Sequence, residues 1–75
     1  MAGISAVHWQ VVEHVFLRAG FEFARQKGTH RSYVKEGRLR PIIIPESDEV
    51  PVAVIRNAIR NAGLSREAYL RLLPG

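Results

Sequence analysis

The stretch that decides the fold is FEFARQKGTHRSYV, residues 21–34. Aromatic and β-branched residues stand on both sides of the pair Gly28-Thr29, a pattern typical of two antiparallel strands joined by a tight turn. We therefore predict a β-hairpin with strands over residues 21–27 and 30–35.

A third strand and a preceding helix extend the hairpin in both directions. The run up to residue 44 contains three consecutive isoleucines, which predicts a strand over residues 39–44 that ends at Pro45. Pro41 indicates that this strand begins late or lies at an edge. Before the hairpin, apolar residues recur at helical spacing, so we predict a helix from Ser5, a capping residue, to about Ala19, with Gly20 as its stop.

Two more helices follow the sheet. Pro51 is favoured in the first turn of a helix, and the apolar stripe after it continues to Gly63, which closes the helix. Ser65 can cap a last short helix. The order helix, three strands, helix, short helix predicts an α+β fold. We expect both long helices to cover one face of the antiparallel sheet, because a bare apolar face would not stay soluble, and the other face to be open.

Length and composition limit the class of protein. The 75 residues suit one small domain, and 47% of them are hydrophobic. Eleven Lys and Arg against seven Asp and Glu give a net charge of +4, which favours an anionic partner such as nucleic acid. The chain has no cysteine, which removes disulfides and thiol-rich zinc sites. No signal peptide or membrane-spanning stretch is seen in the sequence, so we expect a cytoplasmic protein with no membrane contact.

His30 is the leading candidate for chemistry. It follows the Gly28-Thr29 turn and stands between Lys27 and Arg31. An imidazole exchanges protons near neutral pH, the two cations favour a phosphate-bearing substrate, and Gly28 allows close backbone approach to a phosphate. On the residues alone, a solvent-facing strand histidine without a role is an equal alternative.

The other histidines and the acidic residues give no comparable indication of a catalytic role. His8 is expected at the edge of the core and His14 on the solvated side of the first helix. The three histidines lack the spacing of metal ligands, so we predict no metal and no cofactor. The acidic residues 46–49 are expected to be solvated near the start of the following helix.

Further basic residues follow the hairpin. Lys35, Arg38 and Arg40 either protect an edge strand from aggregation or continue a phosphate track from the hairpin turn, and both interpretations stay open. Arg56 and Arg60 are expected on a solvated helix face.

Several segments together resemble one known family. They are AGFEF at 19–23, RQKGTHR at 25–31, IIP at 43–45, VP at 50–51 and NAGLS at 61–65. In order and spacing they are similar to the HicA (YcfA-like) toxins, and the likeness covers nearly the whole chain. The resemblance implies a fold like the double-stranded RNA-binding domain, α-β-β-β-α, in agreement with the order predicted above.

The resemblance also implies a function. Such a protein is a ribosome-independent endonuclease that cleaves mRNA, arrests translation and is neutralised by a HicB-type antitoxin. The catalytic histidine of the family falls on His30. We expect the neighbouring RNA contacts to be Lys27, Gly28, Thr29, Arg31 and Lys35.

Two differences from the family pattern stand out. Thr29 replaces the commoner serine and keeps its hydroxyl, and Pro45 is followed by Glu46 and Ser47 where many relatives carry a second histidine. The second acid of the reaction is therefore unassigned, with Lys27 or a second copy of the chain as candidates.

Two rival functions stay open on the sequence. One is a non-catalytic module that binds duplex or structured RNA through its basic face, and the other is a domain whose basic sheet docks an acidic protein. The sequence also leaves open whether the chain acts alone, as a homo-oligomer or in a toxin–antitoxin hetero-oligomer.

Overall fold

A computed structural model describes residues 3–75. Its elements are α1 (Trp9–Arg18), β1 (Glu22–Lys27), β2 (His30–Val34), β3 (Ile42–Pro45), α2 (Val52–Ala62) and α3 (Arg66–Leu72). The strands form one antiparallel sheet in the order β1-β2-β3. This confirms the predicted α+β fold with an open three-stranded sheet.

Alternation along the strands separates the two faces of the sheet. Tyr33, Ile42 and Ile44 are each at most 1% exposed, whereas Ile43, between the two buried isoleucines, is 43% exposed. Because successive strand residues point to opposite faces, the first three side chains define a covered face and Ile43 lies on the open one. The open face is the one available to a ligand.

The core lies between the covered face and the helices. Its buried members from the helices are Val12, Val15, Phe16, Ile55, Ala58, Ile59, Ala62 and Tyr69. The predicted apolar stripe of α2 is thus confirmed, and Gly63 closes that helix with a φ of 72°. The Ser65 hydroxyl caps α3 by accepting a hydrogen bond from the Ala68 N–H at 3.0 Å, also as predicted.

A bulge in β1 decides which of its side chains face outward. Phe23 is paired with Tyr33 and Arg25 with Ser32, so Ala24 between them has no cross-strand partner. The extra residue resets the alternation. Phe23 therefore lies on the covered face, whereas Arg25 and Lys27 lie on the open face.

The predicted start of α1 at Ser5 is wrong. Val7 forms an antiparallel bridge with Val50, whose N–H donates to the Val7 carbonyl at 2.7 Å. This long-range contact holds the chain extended before the helix. His8 then caps the helix, since its Nδ1 accepts a hydrogen bond from the Gln10 N–H at 3.1 Å.

The third strand is shorter than predicted and begins at Ile42 instead of residue 39. Arg38 is held away from the sheet, because its Nη2 donates to the Asn61 carbonyl of α2 at 2.8 Å. Pro41 has no N–H to give to a ladder. Leu39, between them, is fully exposed.

The prediction that His14 is solvated is also wrong. Its side chain is half-buried, and its Nε2 is enclosed without a hydrogen-bond partner among the described residues. α1 packs against both the sheet and α3, where the rings of Phe16 and Tyr69 lie 6.4 Å apart. The solvated side of α1 is therefore narrower than the sequence predicts.

No helix within residues 3–75 combines the length and the apolar character that a bilayer span requires.

The neighbours Ile44 and Ile43 test which face is covered. We expect Ile44→Ala to lower the free energy of unfolding by about 2–5 kcal/mol, because it leaves a cavity under the helices. Ile43→Ala on the open face should cost clearly less. Urea unfolding of both variants measures the difference, and equal losses would contradict the assignment of faces.

Candidate active site

The structure places His30 at the first position of β2, on the open face of the sheet. Its Cα is paired with that of Lys27 in β1 and that of Pro45 in β3. Directly opposed residues of an antiparallel pair have Cβ atoms about 4.5–5.5 Å apart on one face. The exposed side chains of Lys27 and His30 are therefore neighbours on the open face.

A shallow groove of about 370 Å³ opens beside His30. Its other lining residues are Ile43, Pro45, Ala53, Val54 and Asn57. Asn57 is exposed on α2, and its amide supplies a donor and an acceptor. Sequence reasoning missed this residue, because no local pattern indicates that the middle of α2 lies beside the start of β2.

The turn before His30 is held by two hydrogen bonds. The Gln26 side chain donates to the Gly28 carbonyl at 3.0 Å, and the Glu46 N–H donates to the Thr29 carbonyl at 2.7 Å. Gly28 has a φ of 60°, a conformation that L-residues rarely adopt, and open space surrounds it. Glycine is needed here for the backbone angle, and the exposed turn is open to an approaching ligand.

Arg31 does not join His30 on the open face. Its guanidinium lies on the covered face and bonds to two carboxylates, Glu13 of α1 at 3.1 Å and Glu46 at 3.4 Å. It also donates to the Gln26 amide oxygen at 2.9 Å. The predicted direct contact between Arg31 and RNA stays a prediction that this geometry does not favour. These contacts instead hold the turn that precedes His30 in place from the covered side of the sheet.

The environment of Glu46 differs from the predicted one. The acidic loop was predicted to be solvated, but the Glu46 side chain is only 30% exposed and is paired with Arg31. Asp48 and Glu49 are exposed as predicted. The reason is the pairing of β3 with β2, which brings the start of the loop beside Arg31.

Tyr33 completes the cluster around Arg31. Its hydroxyl donates to Glu13 Oε2 at 2.5 Å and accepts from Arg31 Nε at 2.9 Å. Burial, together with the hydrogen bond to Glu13, raises the pKa of Tyr33 to about 12. The hydrogen bond with Tyr33, followed by that with Glu13, raises the pKa of Arg31 against the opposing effect of burial.

Aromatic rings enclose the same guanidinium. Its carbon lies 4.3 Å from the ring centre of Phe23 and 4.8 Å from that of Trp9. Such cation–π contacts strengthen as water is removed. Tyr33 and Trp9 therefore pack around the Arg31 guanidinium on the covered face, and Tyr33 is fully buried.

Lys35 also lies away from His30. It follows the other end of β2, and its Nζ donates to the Ala19 carbonyl at 2.8 Å, at the end of α1. A cation there complements the negative end of the helix dipole. The predicted RNA contact of Lys35 stays a prediction, and the structure does not bring it to the histidine.

The open face therefore carries a proton acceptor, His30, opposite a cation, Lys27, and the amide of Asn57 on α2 borders the groove beside His30. Within residues 3–75, no three His, Cys, Asp or Glu side chains are grouped as metal ligands. An imidazole next to a fixed positive charge can exchange a proton with a bound hydroxyl and attract a phosphate.

Comparison with known proteins identifies the family of the chain. The profile of a family described as "HicA toxin of bacterial toxin-antitoxin" matches residues 9–64, from the start of α1 to the residue after Gly63. No match was found among curated proteins. The small α+β domain is thus a toxin of a bacterial toxin–antitoxin system, whose partner is an antitoxin. The chain belongs to the HicA toxin family.

The carboxylate partner of Arg31 gives a stability prediction. Glu13 is only 20% exposed, so Glu13→Gln leaves a partly buried guanidinium and hydroxyl with a weaker acceptor. We expect a loss of about 1–3 kcal/mol in the free energy of unfolding. Glu36→Gln, in an exposed turn, is the control and should be close to neutral. Equal urea midpoints for the two variants would contradict the role of Glu13.

The raised pKa of Tyr33 gives a pH prediction. A folded-state pKa of about 12 lies above the ordinary value of 10.0, so the stabilisation is fully present below about pH 10 and is lost as pH rises toward 12. From about pH 9 to about pH 11, wild type should lose on the order of 1 kcal/mol more stability than Tyr33→Phe. Parallel pH profiles of the two proteins would contradict this.

Proposed function

We propose that this toxin is a metal-independent endoribonuclease that cleaves mRNA, with His30 as its catalytic residue and a HicB-type protein as its antitoxin. The observation that carries the proposal is the position of His30. It is exposed on the uncovered side of the sheet, opposite Lys27 and beside a groove. Membership of the toxin family supports a harmful activity of this kind.

RNA supplies its own nucleophile, so the protein needs few groups. His30 takes the proton of a ribose 2′-hydroxyl as its oxygen attacks the neighbouring phosphorus, and the bond to the 5′ oxygen breaks. The products are a 2′,3′-cyclic phosphate and a free 5′-hydroxyl, and the leaving oxygen receives a proton from an acid. Lys27 stabilises negative charge on the phosphate, and either Lys27 or a second copy of the chain supplies that proton.

The other groove residues suit a single-stranded substrate. Asn57 can donate to and accept from a base edge, while Ile43 and Pro45 offer an apolar surface to a base. An antitoxin that covers this face would block the histidine without disturbing the fold. Action on mRNA places the protein in the cytoplasm.

Replacement of His30 tests the proposal. General acid–base catalysis is worth roughly 10²–10⁴-fold, so His30→Ala should lose cleavage of a defined transcript by about that factor while RNA binding persists. The reaction is run with EDTA, and the new ends are analysed for cyclic phosphate. His8→Asn, which keeps a helix-capping side chain, is the matched control and should cleave like wild type.

Three results would contradict the proposal. They are full activity of His30→Ala, cleavage that requires a metal and leaves 5′-phosphates, and RNA binding by wild type without any cleavage. The last result favours the non-catalytic RNA-binding module.

A further inference from the structure

A second groove, of about 410 Å³, lies at the opposite end of α2 from His30. It is lined by Gly37, Arg38, Leu39, Arg40, Arg60 and Asn61. Three of these six residues are arginines and none is acidic. The planar guanidinium fork is the side chain best matched to a phosphate.

The charges of these arginines are not neutralised by the protein. In the part of the chain that the structure describes, the ion pairs join His8 to Asp48 and Arg31 to Glu13 and Glu46. None involves the arginines of the second groove. Three like charges around one groove repel one another, and a bound anion relieves that repulsion.

Arg38 is held in place before any ligand binds. Its Nη2 donates to the Asn61 carbonyl at 2.8 Å, and its guanidinium lies against Gly63, where a Cβ would come within 2.8 Å of it. A guanidinium fixed by one bond keeps its remaining N–H groups for a ligand and loses less freedom on binding.

The two grooves lie along one side of α2. Ala53 and Asn57 line the groove of His30, and Arg60 lines the second one. Residues four and then three positions apart lie on the same side of a helix. At about 1.5 Å per residue, Arg60 stands about 10 Å along the helix from Ala53, which is a distance on the scale of a few nucleotides.

Leu39 indicates which kind of anion fits. Its side chain is fully exposed, 102% of the reference value, and borders the arginines. Free phosphate offers nothing to cover an apolar side chain, whereas a nucleotide offers both a phosphate and the flat face of a base.

We propose that Arg38, Arg40 and Arg60 bind a phosphate of the RNA chain that flanks the scissile phosphate at His30. The RNA strand then runs along α2 from the histidine to the arginines. This inference rests on the proposed ribonuclease function. The arginine groove contributes affinity for the strand, and its loss raises KM with kcat unchanged.

The experiment compares Arg40→Gln and Arg60→Gln with Arg71→Gln. Arg71 is exposed on α3 and lines neither groove, so it is a matched charge control away from the proposed RNA path. The probe is a single-stranded RNA decamer with 2′-O-methyl riboses, which binds but cannot be cleaved. Each groove variant should weaken binding roughly fivefold, as expected for one exposed charge pair, and should lower the salt slope by about 0.7. Arg71→Gln should bind like wild type.

A dinucleoside monophosphate is the second substrate. It has one phosphate, which occupies the His30 site and leaves none for the arginines. Its cleavage should therefore be equal in wild type and in Arg40→Gln. A longer transcript should show the raised KM.

Two outcomes overturn the inference. One is binding of the decamer by Arg40→Gln and Arg60→Gln as tightly as by Arg71→Gln. The other is equal competition by polyglutamate of the same charge, which assigns the groove to acidic protein. If the decamer results hold but wild type cleaves no RNA, the arginine site stands and the ribonuclease function fails.

Discussion

The ion cluster of Arg31 is the constraint on which the placement of His30 depends. Neighbouring residues of a strand point to opposite faces, so the contacts that hold Arg31 on the covered face also place His30 on the open face. Glu13 ties Arg31 to α1, and Glu46 ties it to the loop after β3. Through Gln26 the same guanidinium reaches the carbonyl of Gly28 in the turn. One partly buried cation thus joins the first helix, the turn and the loop after the last strand.

The basic residues fall into two groups with different physical roles. Arg31, Lys35 and Arg38 make hydrogen bonds within the protein and fix its geometry. Lys27 and Arg40 have no carboxylate partner within residues 3–75 and account for surface charge that a ligand can use. Arg38 belongs to both groups, because its hydrogen bond to the Asn61 carbonyl uses Nη2 and leaves other guanidinium N–H groups for a ligand. A net charge of +4 alone does not reveal this division.

Local sequence signals predicted much of this structure. The hairpin turn, the buried stripe of α2, its glycine stop at Gly63 and the Ser65 cap all depend on residues close in sequence. The prediction that α1 starts at Ser5 failed because the Val7–Val50 bridge is a contact between distant segments. At the site, the exposure of His30 beside Lys27 follows from the hairpin register. The opposite orientation of Arg31 also follows from strand alternation, a signal that the sequence contains. The pairing of Arg31 with Glu13 and the approach of Asn57 to His30 are tertiary contacts, which no local sequence pattern indicates.

The open face of the sheet differs from the covered face in what it exposes. Within residues 3–75, the helices α1 and α2, of 10 and 11 residues, pack on one side of the three-stranded sheet. The uncovered side exposes Val34 and Ile43, which costs stability in water but leaves apolar surface for a ligand. On the proposed function, the chemistry at His30 and the affinity at the arginine groove occupy the two ends of α2. The two roles can then change independently, because the two grooves have no lining residue in common.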